Sequence, residues 1–504
     1  MKIVKHHDIG AITMNKPHAI VIGLDGMPLH AFYSLFEQGL MPYTKHLWQK
    51  LWSSNLKIML PFTLPSWTTI STGVNPGKHG IFDFLKPLPG KPPKIITKDD
   101  VAYPTLPEML AYNKLPSITI NVPLTYPPAT RRKDCIVISD WTIPKKLAWP
   151  KDEEERVRKL LPPGPPTKPL TIESYLETVA VSIRKRLELL EYYFIKRNWR
   201  LFYTVIPEPD WIFHKVYSEA IVEKKSPKPV KTIFQLIDKF IKLVVENMPD
   251  NTLLILCSDH GFSVARISIN GNVILKKMGL LKTREEGLNI KSLILLSLAK
   301  IIPPRIKHSI KYKAHVAIQA LTNIQGFEHR SIPIDYVNSK AFMTISYNLY
   351  LNPGLSPQER RVVLDKILSL YDSIGGLLKD IIMGKRAFKG PYSENAPDII
   401  LIPKEGVNIS TRLLSNKVIE KGKWYIHSNV GFIALNMEPC ASEFRDVDIV
   451  PTILAYLGLP IPADIDGSII IPIKPTKRIN YGPHYIIAKK ILKSHFVKRT
   501  YWKI

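Results

Sequence analysis

Cysteine is scarce in this sequence, with three residues among 504. Cys135, Cys257 and Cys440 lie far apart, and neither a CxxC pair nor a Cys/His cluster accompanies them. Disulfide-rich folds and thiolate zinc fingers both require closely spaced cysteines. The sequence therefore excludes both classes and fits a reducing compartment.

Long apolar segments are missing as well. The longest apolar runs, at residues 293–299 and 253–257, are far shorter than the roughly 18 residues that a membrane-spanning helix needs. The first residues, MKIVKHHDIGAITMNKPHAIVIGLDG, contain no apolar core followed by a small-residue cleavage site. We therefore expect neither a transmembrane helix nor a signal peptide, and we expect a cytoplasmic protein.

Acidic residues are few relative to basic ones: 43 Asp and Glu stand against 70 Lys and Arg, a formal net charge of +27. The excess is uneven along the chain. Residues 474–504 hold nine basic residues and no acid, and residues 265–331 hold twelve basic residues and three Glu, so each segment carries +9. An anionic partner would therefore meet an insertion and a tail rather than the whole surface.

The composition is otherwise that of a folded protein, with 45% hydrophobic and 22% charged residues. Short apolar runs alternate with longer amphipathic stretches, which is typical of an α/β fold in which helices flank a mainly parallel sheet. The predicted strands are residues 18–24, 117–121, 135–139, 201–206, 253–258, 398–402 and 431–435. The predicted helices are residues 172–195, 232–246, 357–373 and 448–456, the first capped by Thr171.

Aspartate and histidine residues occur beside the ends of predicted strands: Asp25, Asp210, His214, Asp259, His260 and His427. In open α/β sheets, ligands bind at the carboxyl ends of the strands, so we expect these side chains to meet. Their carboxylates and imidazoles suit two divalent metal ions, most simply Zn²⁺, with Mn²⁺ or Fe as alternatives. Each residue alone has an ordinary explanation, such as a turn aspartate or a hydrogen-bonded histidine, and the combination favours a metal site.

A helix N-terminus is predicted close to this group. Thr63 precedes Pro65, which suits the first turn of a helix that runs to Thr72. Unpaired N–H groups there would stabilise an oxyanion, and a metal would lower the pKa of the Thr63 hydroxyl so that it could attack phosphorus. The alternative is that Thr63 is a simple helix cap. His79 is expected to belong to a turn that packs the loop.

In their order along the chain, these residues resemble the type I phosphodiesterase/nucleotide pyrophosphatase family of the alkaline phosphatase superfamily. The matching motifs are Asp25, Thr63-Leu64-Pro65, Thr72-Gly73, Pro76, His79-Gly80-Ile81, Asp210, His214, Asp259-His260-Gly261, His427 and the stretch at residues 446–467. The resemblance implies an alkaline-phosphatase-like three-layer fold. It also implies one metal on Asp210, His214 and His427, and a second metal on Asp25, Asp259 and His260 together with the Thr63 hydroxyl oxygen.

The sequence departs from the family pattern in two places. Ser66 stands where nucleotide pyrophosphatases have a phosphate-contacting Asn, so we assign it as a substrate contact. The stretch between His260 and His427 is longer than in that family. We therefore predict a catalytic domain over residues 1–473 with a basic cap or insertion at 265–335, followed by a basic tail at 474–504.

The function that the resemblance implies is metal-dependent hydrolysis of phosphodiester or pyrophosphate bonds through a phosphothreonyl intermediate at Thr63, on a small phosphodiester or nucleotide-like substrate. A phosphomonoesterase or a phosphotransferase on the same fold stays open. A sulfatase is disfavoured, because Thr63 replaces the Cys or Ser that becomes formylglycine and Trp67 replaces an Arg. Cofactor-independent phosphoglycerate mutases look similar but use a Ser nucleophile and a different motif spacing, so they are a distant alternative.

A non-catalytic protein that binds nucleic acid or an anionic membrane is the alternative from another class. No long groove of aromatic and basic residues is apparent, so no specific nucleic-acid partner is predicted. Residues 485–503 mix apolar and basic side chains as an interfacial helix would, so an anionic membrane surface is a candidate partner of the tail. A terminal helix docked on the domain is the other explanation of that pattern.

Overall fold

A nine-stranded sheet forms the centre of the protein in a computed structural model, which describes residues 16–143, 145–166, 171–284, 334–344, 347–413, 415–475, 477–482, 485–486 and 489. The strands within these residues are β1 (His18–Leu24), β2 (Trp52–Lys57), β3 (Leu85–Leu88), β4 (Lys91–Ile95), β5 (Ser117–Ile120), β6 (Cys135–Ile138), β7 (Ala148–Trp149), β8 (Leu201–Ile206), β9 (Thr252–Cys257), β10 (Gly261–Asn270), β11 (Ala341–Met343), β12 (Asn348–Leu351), β13 (Leu378–Met383), β14 (Ile399–Pro403), β15 (Val407–Ser410), β16 (Ile419–Ser428), β17 (Val430–Leu435), β18 (Phe444–Arg445), β19 (Ile461–Pro462) and β20 (Arg478–Ile479).

Helices connect most of these strands. The α-helices of the described residues are α1 (Leu29–Glu37), α2 (Pro42–Trp48), α3 (Thr63–Thr72), α4 (Pro76–His79), α5 (Leu106–Tyr112), α6 (Glu154–Leu160), α7 (Ile172–Lys196), α8 (Glu208–Tyr217), α9 (Lys228–Asn247), α10 (Gly271–Lys277), α11 (Pro357–Ser373), α12 (Gly384–Ala387) and α13 (Ile449–Tyr456). Each helix of the described ranges is too short or too polar to cross a bilayer.

The large sheet has the strand order β18, β2, β17, β9, β1, β8, β5, β6, β7. Strands β9, β1, β8, β5 and β6 run parallel to one another, whereas β17 and β7 are antiparallel to their neighbours. Apolar side chains on both faces of β1 explain its central place, because a strand covered on both sides must be apolar throughout. The predicted α/β fold with a mainly parallel sheet is confirmed.

Two apolar layers cover the two faces of this sheet. Ile20 and Ile22 of β1 pack with α1, α7, α8 and α9 on one face, and Ala19 and Val21 pack with α3, α5 and α13 on the other. Alternate residues of a strand point to opposite faces, so one strand contributes to both layers. The arrangement is the predicted three-layer fold.

The predicted boundaries agree closely with several elements. Residues 18–24 and 201–206 coincide with β1 and β8, and α7 begins where predicted, with the Thr171 hydroxyl accepting a hydrogen bond from the Ser174 N–H at 3.2 Å. Helix α9 begins at Lys228, four residues before the predicted start at 232, because Pro229 is tolerated in a first helical turn.

Two smaller sheets lie between β9 and β17 in the chain. One has the order β15, β10, β16, and the other has the order β11, β12, β14, β13, with α10 and α11 packed against it. Of the predicted cap at 265–335, the described residues 265–284 and 334–335 include most of β10 and all of α10, and the others lie outside the described residues. Most of the predicted tail at 474–504 also lies outside them, so its membrane contact stays a prediction.

Candidate metal and nucleophile site

The carboxyl ends of three neighbouring strands bring the predicted ligands together. Strands β9, β1 and β8 are adjacent and parallel. Asp25 follows β1, Asp259 and His260 follow β9, and Asp210 lies in the first turn of α8, which begins two residues after β8. Because the carboxyl ends of parallel strands meet at one edge of a sheet, these residues converge although the chain separates them widely.

Asp210, His214 and His427 form the first ligand group. Helix α8 places His214 one turn after Asp210, and the Asp210 Oδ1 atom lies 3.2 Å from His214 Nε2 and 3.3 Å from His427 Nε2. The two Nε2 atoms lie 3.0 Å apart. His427 Nδ1 lies 2.9 Å from the Pro61 carbonyl oxygen. A carbonyl only accepts, so Nδ1 carries the proton and the Nε2 lone pair faces the group.

His427 reaches this place through β16, which pairs antiparallel with β10. In that register Phe262 lies opposite His427, and the ring of His427 stacks on His260 with centroids 3.7 Å apart. Because β10 starts directly after the Asp259-His260 pair, its antiparallel pairing with β16 brings His427 to the same sheet edge.

Asp25, Asp259 and His260 form the second ligand group, and all three side chains are buried. His260 Nε2 lies 3.5 Å from Asp25 Oδ1, 3.4 Å from Asp259 Oδ2 and 3.9 Å from Asp210 Oδ1. His260 Nδ1 donates to the Gly261 carbonyl oxygen at 3.2 Å, so the Nε2 lone pair faces the carboxylates. Asp210 Oδ1 therefore lies within reach of both groups, whereas the family resemblance assigns it to one metal.

The chemistry of the donor set is a test of whether metal ions fit here. Asp25 Oδ1, Asp210 Oδ1, Asp259 Oδ2 and His260 Nε2 are buried, and none of them has a hydrogen-bond partner among the described residues. All four atoms can act as acceptors and they face one another. Buried acceptors without partners are costly unless a cation binds them. Two sets of three residues have ligand atoms within 4.8 Å of one another, namely Asp210, His214 and His427, and Asp25, Asp210 and His260. Asp259 Oδ2 lies 3.4 Å from His260 Nε2 beside the second set. These carboxylate oxygens and imidazole nitrogens therefore fit two divalent ions.

The electrostatics of these carboxylates and imidazoles agree with this assignment. Burial, followed by repulsion between the carboxylates, raises the pKa of Asp25 well above its usual value, and burial likewise raises the pKa of Asp259. Burial alone would raise the pKa of Asp210, but His214 and His427 outweigh it and hold the pKa well below its usual value. Burial lowers the pKa of His260, which keeps this imidazole neutral and able to bind a metal.

Thr63 is the first residue of α3 and follows Asp25 but precedes the other ligand residues in the chain. Phe62, which precedes it in extended conformation, has its ring centroid 5.9 Å from that of His427. On the other side, Ser66 and Trp67 contact residues of the second group, as described below. The Thr63 side chain is largely buried, with a relative exposure of 8%. The predicted helix N-terminus at the site is present.

Ser66, the predicted substrate contact, lies three residues after Thr63 in α3. It is fully buried, and its hydroxyl donates to the Asp259 carbonyl oxygen at 2.6 Å. Its neighbour Trp67, which sequence reasoning used only as evidence against a sulfatase, donates its indole N–H to Asp25 Oδ2 at 3.0 Å. Helical spacing from Thr63 would have placed both residues on one face with it.

His79 has a more specific contact than loop packing. It is fully buried at the end of α4, and its Nδ1 accepts a hydrogen bond from the Ile81 N–H at 3.2 Å. Nε2 therefore carries the proton and donates to the Thr69 hydroxyl at 3.0 Å, which in turn donates to the Pro65 carbonyl oxygen at 3.0 Å. This chain of hydrogen bonds joins the His79-Gly80-Ile81 segment to the first turn of α3.

The fold and the two groups of candidate metal ligands at one sheet edge indicate a phosphoryl-transfer hydrolase of the alkaline phosphatase superfamily, whose members use a two-metal site. The sequence model of one family within it, type I phosphodiesterase / nucleotide pyrophosphatase, matches residues 19–424. The chain belongs to that family, as the resemblance of its motifs predicted. No curated protein sequence matches the chain significantly.

Several solved structures are similar to this chain over most of its length. Phosphonoacetate hydrolase from Sinorhizobium meliloti 1021, in complex with phosphonoacetate, is 14% identical over 88% of this chain and 96% of that chain, with a TM-score of 0.52. A substituted form of the alkaline phosphatase PafA is 12% identical over 91% and 98%, with a TM-score of 0.53. Murine ectonucleotide pyrophosphatase / phosphodiesterase 5 is 13% identical over 90% and 97%, with a TM-score of 0.46. The first two likenesses show a shared fold.

Proposed function

We propose that this protein hydrolyses phosphodiester or pyrophosphate bonds with Thr63 as its nucleophile and with two divalent ions, most simply Zn²⁺, in the two ligand groups. The observation that carries the proposal is the set of four buried, unpartnered acceptor atoms on Asp25, Asp210, Asp259 and His260. Thr63 begins the helix whose residues Ser66 and Trp67 donate hydrogen bonds to Asp259 and Asp25. Membership of the family supports the same chemistry.

The ions would supply positive charge against the phosphate oxygens and would lower the pKa of a hydroxyl bound beside them. The chain itself contributes the nucleophile and its orientation. Thr63 Oγ1 gives up its proton and attacks phosphorus, the Oγ1–P bond forms, and the bond from phosphorus to the leaving oxygen breaks, after which the leaving oxygen takes up a proton. Water then attacks phosphorus in the phosphothreonyl intermediate, the Oγ1–P bond breaks, the remaining phosphomonoester is released, and a proton from the water restores the Thr63 hydroxyl.

The charges around the site favour diesters over monoesters. Among the described residues, the ligand side chains form ion pairs only with one another, and no Lys or Arg pairs with them. A phosphomonoester carries one more negative charge than a diester at neutral pH, so it gains more from a cationic side chain beside the ions. We therefore propose a phosphodiester or a nucleotide-like pyrophosphate as the substrate, and the leaving group stays open.

The test compares hydrolysis of bis(nitrophenyl) phosphate and nitrophenyl phosphate by protein loaded with Zn²⁺ or Mn²⁺. We expect a higher kcat/KM for the diester, and a loss of at least about 1,000-fold in Thr63→Ala, because the nucleophile is absent. Thr72→Ala is the matched control: it removes another buried hydroxyl of α3, whose bond goes to the Thr68 carbonyl oxygen at 2.7 Å, and should keep its activity. Wild-type rates in Thr63→Ala would refute the nucleophile.

A further inference from the structure

Helix α3 carries two hydrogen-bond donors that hold residues of the second ligand group. Ser66 and Trp67 follow Thr63 by three and four positions, so the three side chains share one face of the helix. Trp67 Nε1 donates to Asp25 Oδ2 at 3.0 Å, and the Ser66 hydroxyl donates to the Asp259 carbonyl oxygen at 2.6 Å. One helix thus carries the proposed nucleophile and donates hydrogen bonds to two metal-ligand residues.

The position of the Trp67 ring is enforced by its surroundings. The side chain is fully buried, and strand β1 passes close beneath it at Gly23. A Cβ atom at Gly23 would lie 2.3 Å from Trp67 Cη2 and 2.9 Å from Cζ3, closer than side-chain atoms approach one another. The absence of a side chain at this position of the strand lets the indole reach Asp25, two residues further along.

These donors decide which carboxylate oxygens remain free. Asp25 Oδ2 is taken by Trp67, and Asp259 Oδ1 accepts the Gly26 N–H at 3.1 Å. The opposite oxygens, Asp25 Oδ1 and Asp259 Oδ2, are buried and unpartnered, and both face His260 Nε2. Each carboxylate is therefore anchored through one oxygen and presents the other to the place where an ion would bind.

We propose that Trp67 is a positioning residue that aims Asp25 Oδ1 at the ion of the second ligand group, and that Ser66 assists by fixing the backbone of Asp259. The inference rests on the two-ion function proposed above. Helix α3 would then fix the nucleophile and this ion as one rigid unit. Hydrogen bonds between α3 and the ligands Asp210, His214 and His427 are absent from the described residues, so the effect should be selective for one ion.

Site selectivity makes the inference testable by metal binding rather than by activity alone. Full-length protein is stripped with chelator and titrated with Zn²⁺ against a competing indicator dye. His427→Ala removes a ligand of the first group, so that only the second group stays complete. Asp25→Asn removes a ligand of the second group, so that only the first group stays complete. In His427→Ala we expect Trp67→Phe to weaken Zn²⁺ binding about 10- to 100-fold, the usual cost of losing an outer partner of a ligand. In Asp25→Asn we expect a change below about 2-fold.

Ser66→Ala provides a second variant that leaves the Trp67 ring in place, and we expect it to weaken the same ion. The matched controls remove similar groups without touching a ligand. Ser71→Ala removes another buried hydroxyl of α3, which pairs with the Tyr203 hydroxyl, and Trp199→Phe removes a buried indole N–H that donates to the Phe194 carbonyl oxygen. Both controls should bind Zn²⁺ as their parent does, and circular dichroism of the stripped proteins reports folding.

The outcomes separate the two proposals. If wild type takes up two equivalents of Zn²⁺ and both Trp67→Phe and Ser66→Ala bind as tightly as their parent in the His427→Ala background, the positioning role is refuted and the two-ion function stands. Equal weakening in both backgrounds refutes it too, because a merely structural residue would behave in that way. If wild type takes up no Zn²⁺, Mn²⁺ or Fe, the proposed function itself is wrong.

Discussion

Arg186 and Glu208 form a fully buried ion pair at the start of the helix that carries Asp210 and His214. Arg186 lies in α7, and Glu208 is the first residue of α8, two positions before Asp210. Arg186 Nε donates to Glu208 Oε1 at 2.7 Å, both side chains are inaccessible to solvent, and Arg186 Nη1 and Nη2 and Glu208 Oε2 have no hydrogen-bond partner among the described residues. One hydrogen bond therefore compensates the desolvation of two charges.

Removing either partner alone should be costly, but to different extents. Glu208→Gln leaves a guanidinium that cannot lose its proton, so we expect the free energy of unfolding to fall by about 3–5 kcal/mol. Arg186→Met leaves a carboxyl group that burial already drives toward the protonated form, since the pKa of Glu208 is raised even beside Arg186. Its cost should be smaller, and the double variant Arg186→Met/Glu208→Gln should lose less than the sum of the single changes.

The stability loss in Arg186→Met should also depend on pH, which a loss of packing alone would not cause. Without Arg186, the folded-state pKa of Glu208 rises further above its unfolded value of roughly 4.3. The folded state then binds more protons than the unfolded state, so stability falls as pH rises through that range. Arg186→Met should therefore lose less relative to wild type at pH 5 than at pH 8.

Equilibrium urea unfolding in chelator, followed by tryptophan fluorescence, measures these free energies without a metal contribution. Glu155→Gln is the control, because Glu155 pairs with Lys159 on the exposed surface of α6, and its unfolding midpoint should be unchanged. A Glu208→Gln variant within 1 kcal/mol of wild type would refute the reasoning. Strict additivity in the double variant would do so as well.

Two further predictions concern buried residues around α3. Gly23→Ala should lose about 1–3 kcal/mol of stability in the same assay and should weaken Zn²⁺ binding at the second ligand group, because its Cβ displaces Trp67. The control is Gly376→Ala, whose Cβ meets no atom within 4 Å. Wild-type stability and Zn²⁺ binding in Gly23→Ala would contradict this packing argument. Burial lowers the pKa of His79 to about 3, below its unfolded value near 6.5. Between these two pH values the unfolded state binds a proton that the folded state does not. The free energy of unfolding should therefore fall by up to about 1.4 kcal/mol for each pH unit as the pH drops through this range. His79→Gln should flatten this dependence, and an unchanged slope would show that His79 is not responsible.

The sequence by itself determined the class of fold and the identity of most candidate ligands. Runs such as residues 18–24 and 201–206 are apolar on both faces, and a strand of that kind is stable only inside a covered sheet. The polar residues that follow such runs must then lie at one sheet edge, which brings Asp25 near Asp210. The four-residue spacing of Asp210 and His214 would place both on one face only if a helix began there, and α8 does begin there.

Only the tertiary structure decided how these residues are held. The pairing of β10 with β16 stacks His427 on His260 across a long stretch of chain, and no periodic pattern specifies that register. The bond from Trp67 to Asp25 and the pair between Arg186 and Glu208 are equally invisible in the sequence. Local periodicity records which side of an element is buried, whereas the partner of a buried polar atom depends on how elements distant in the chain pack together.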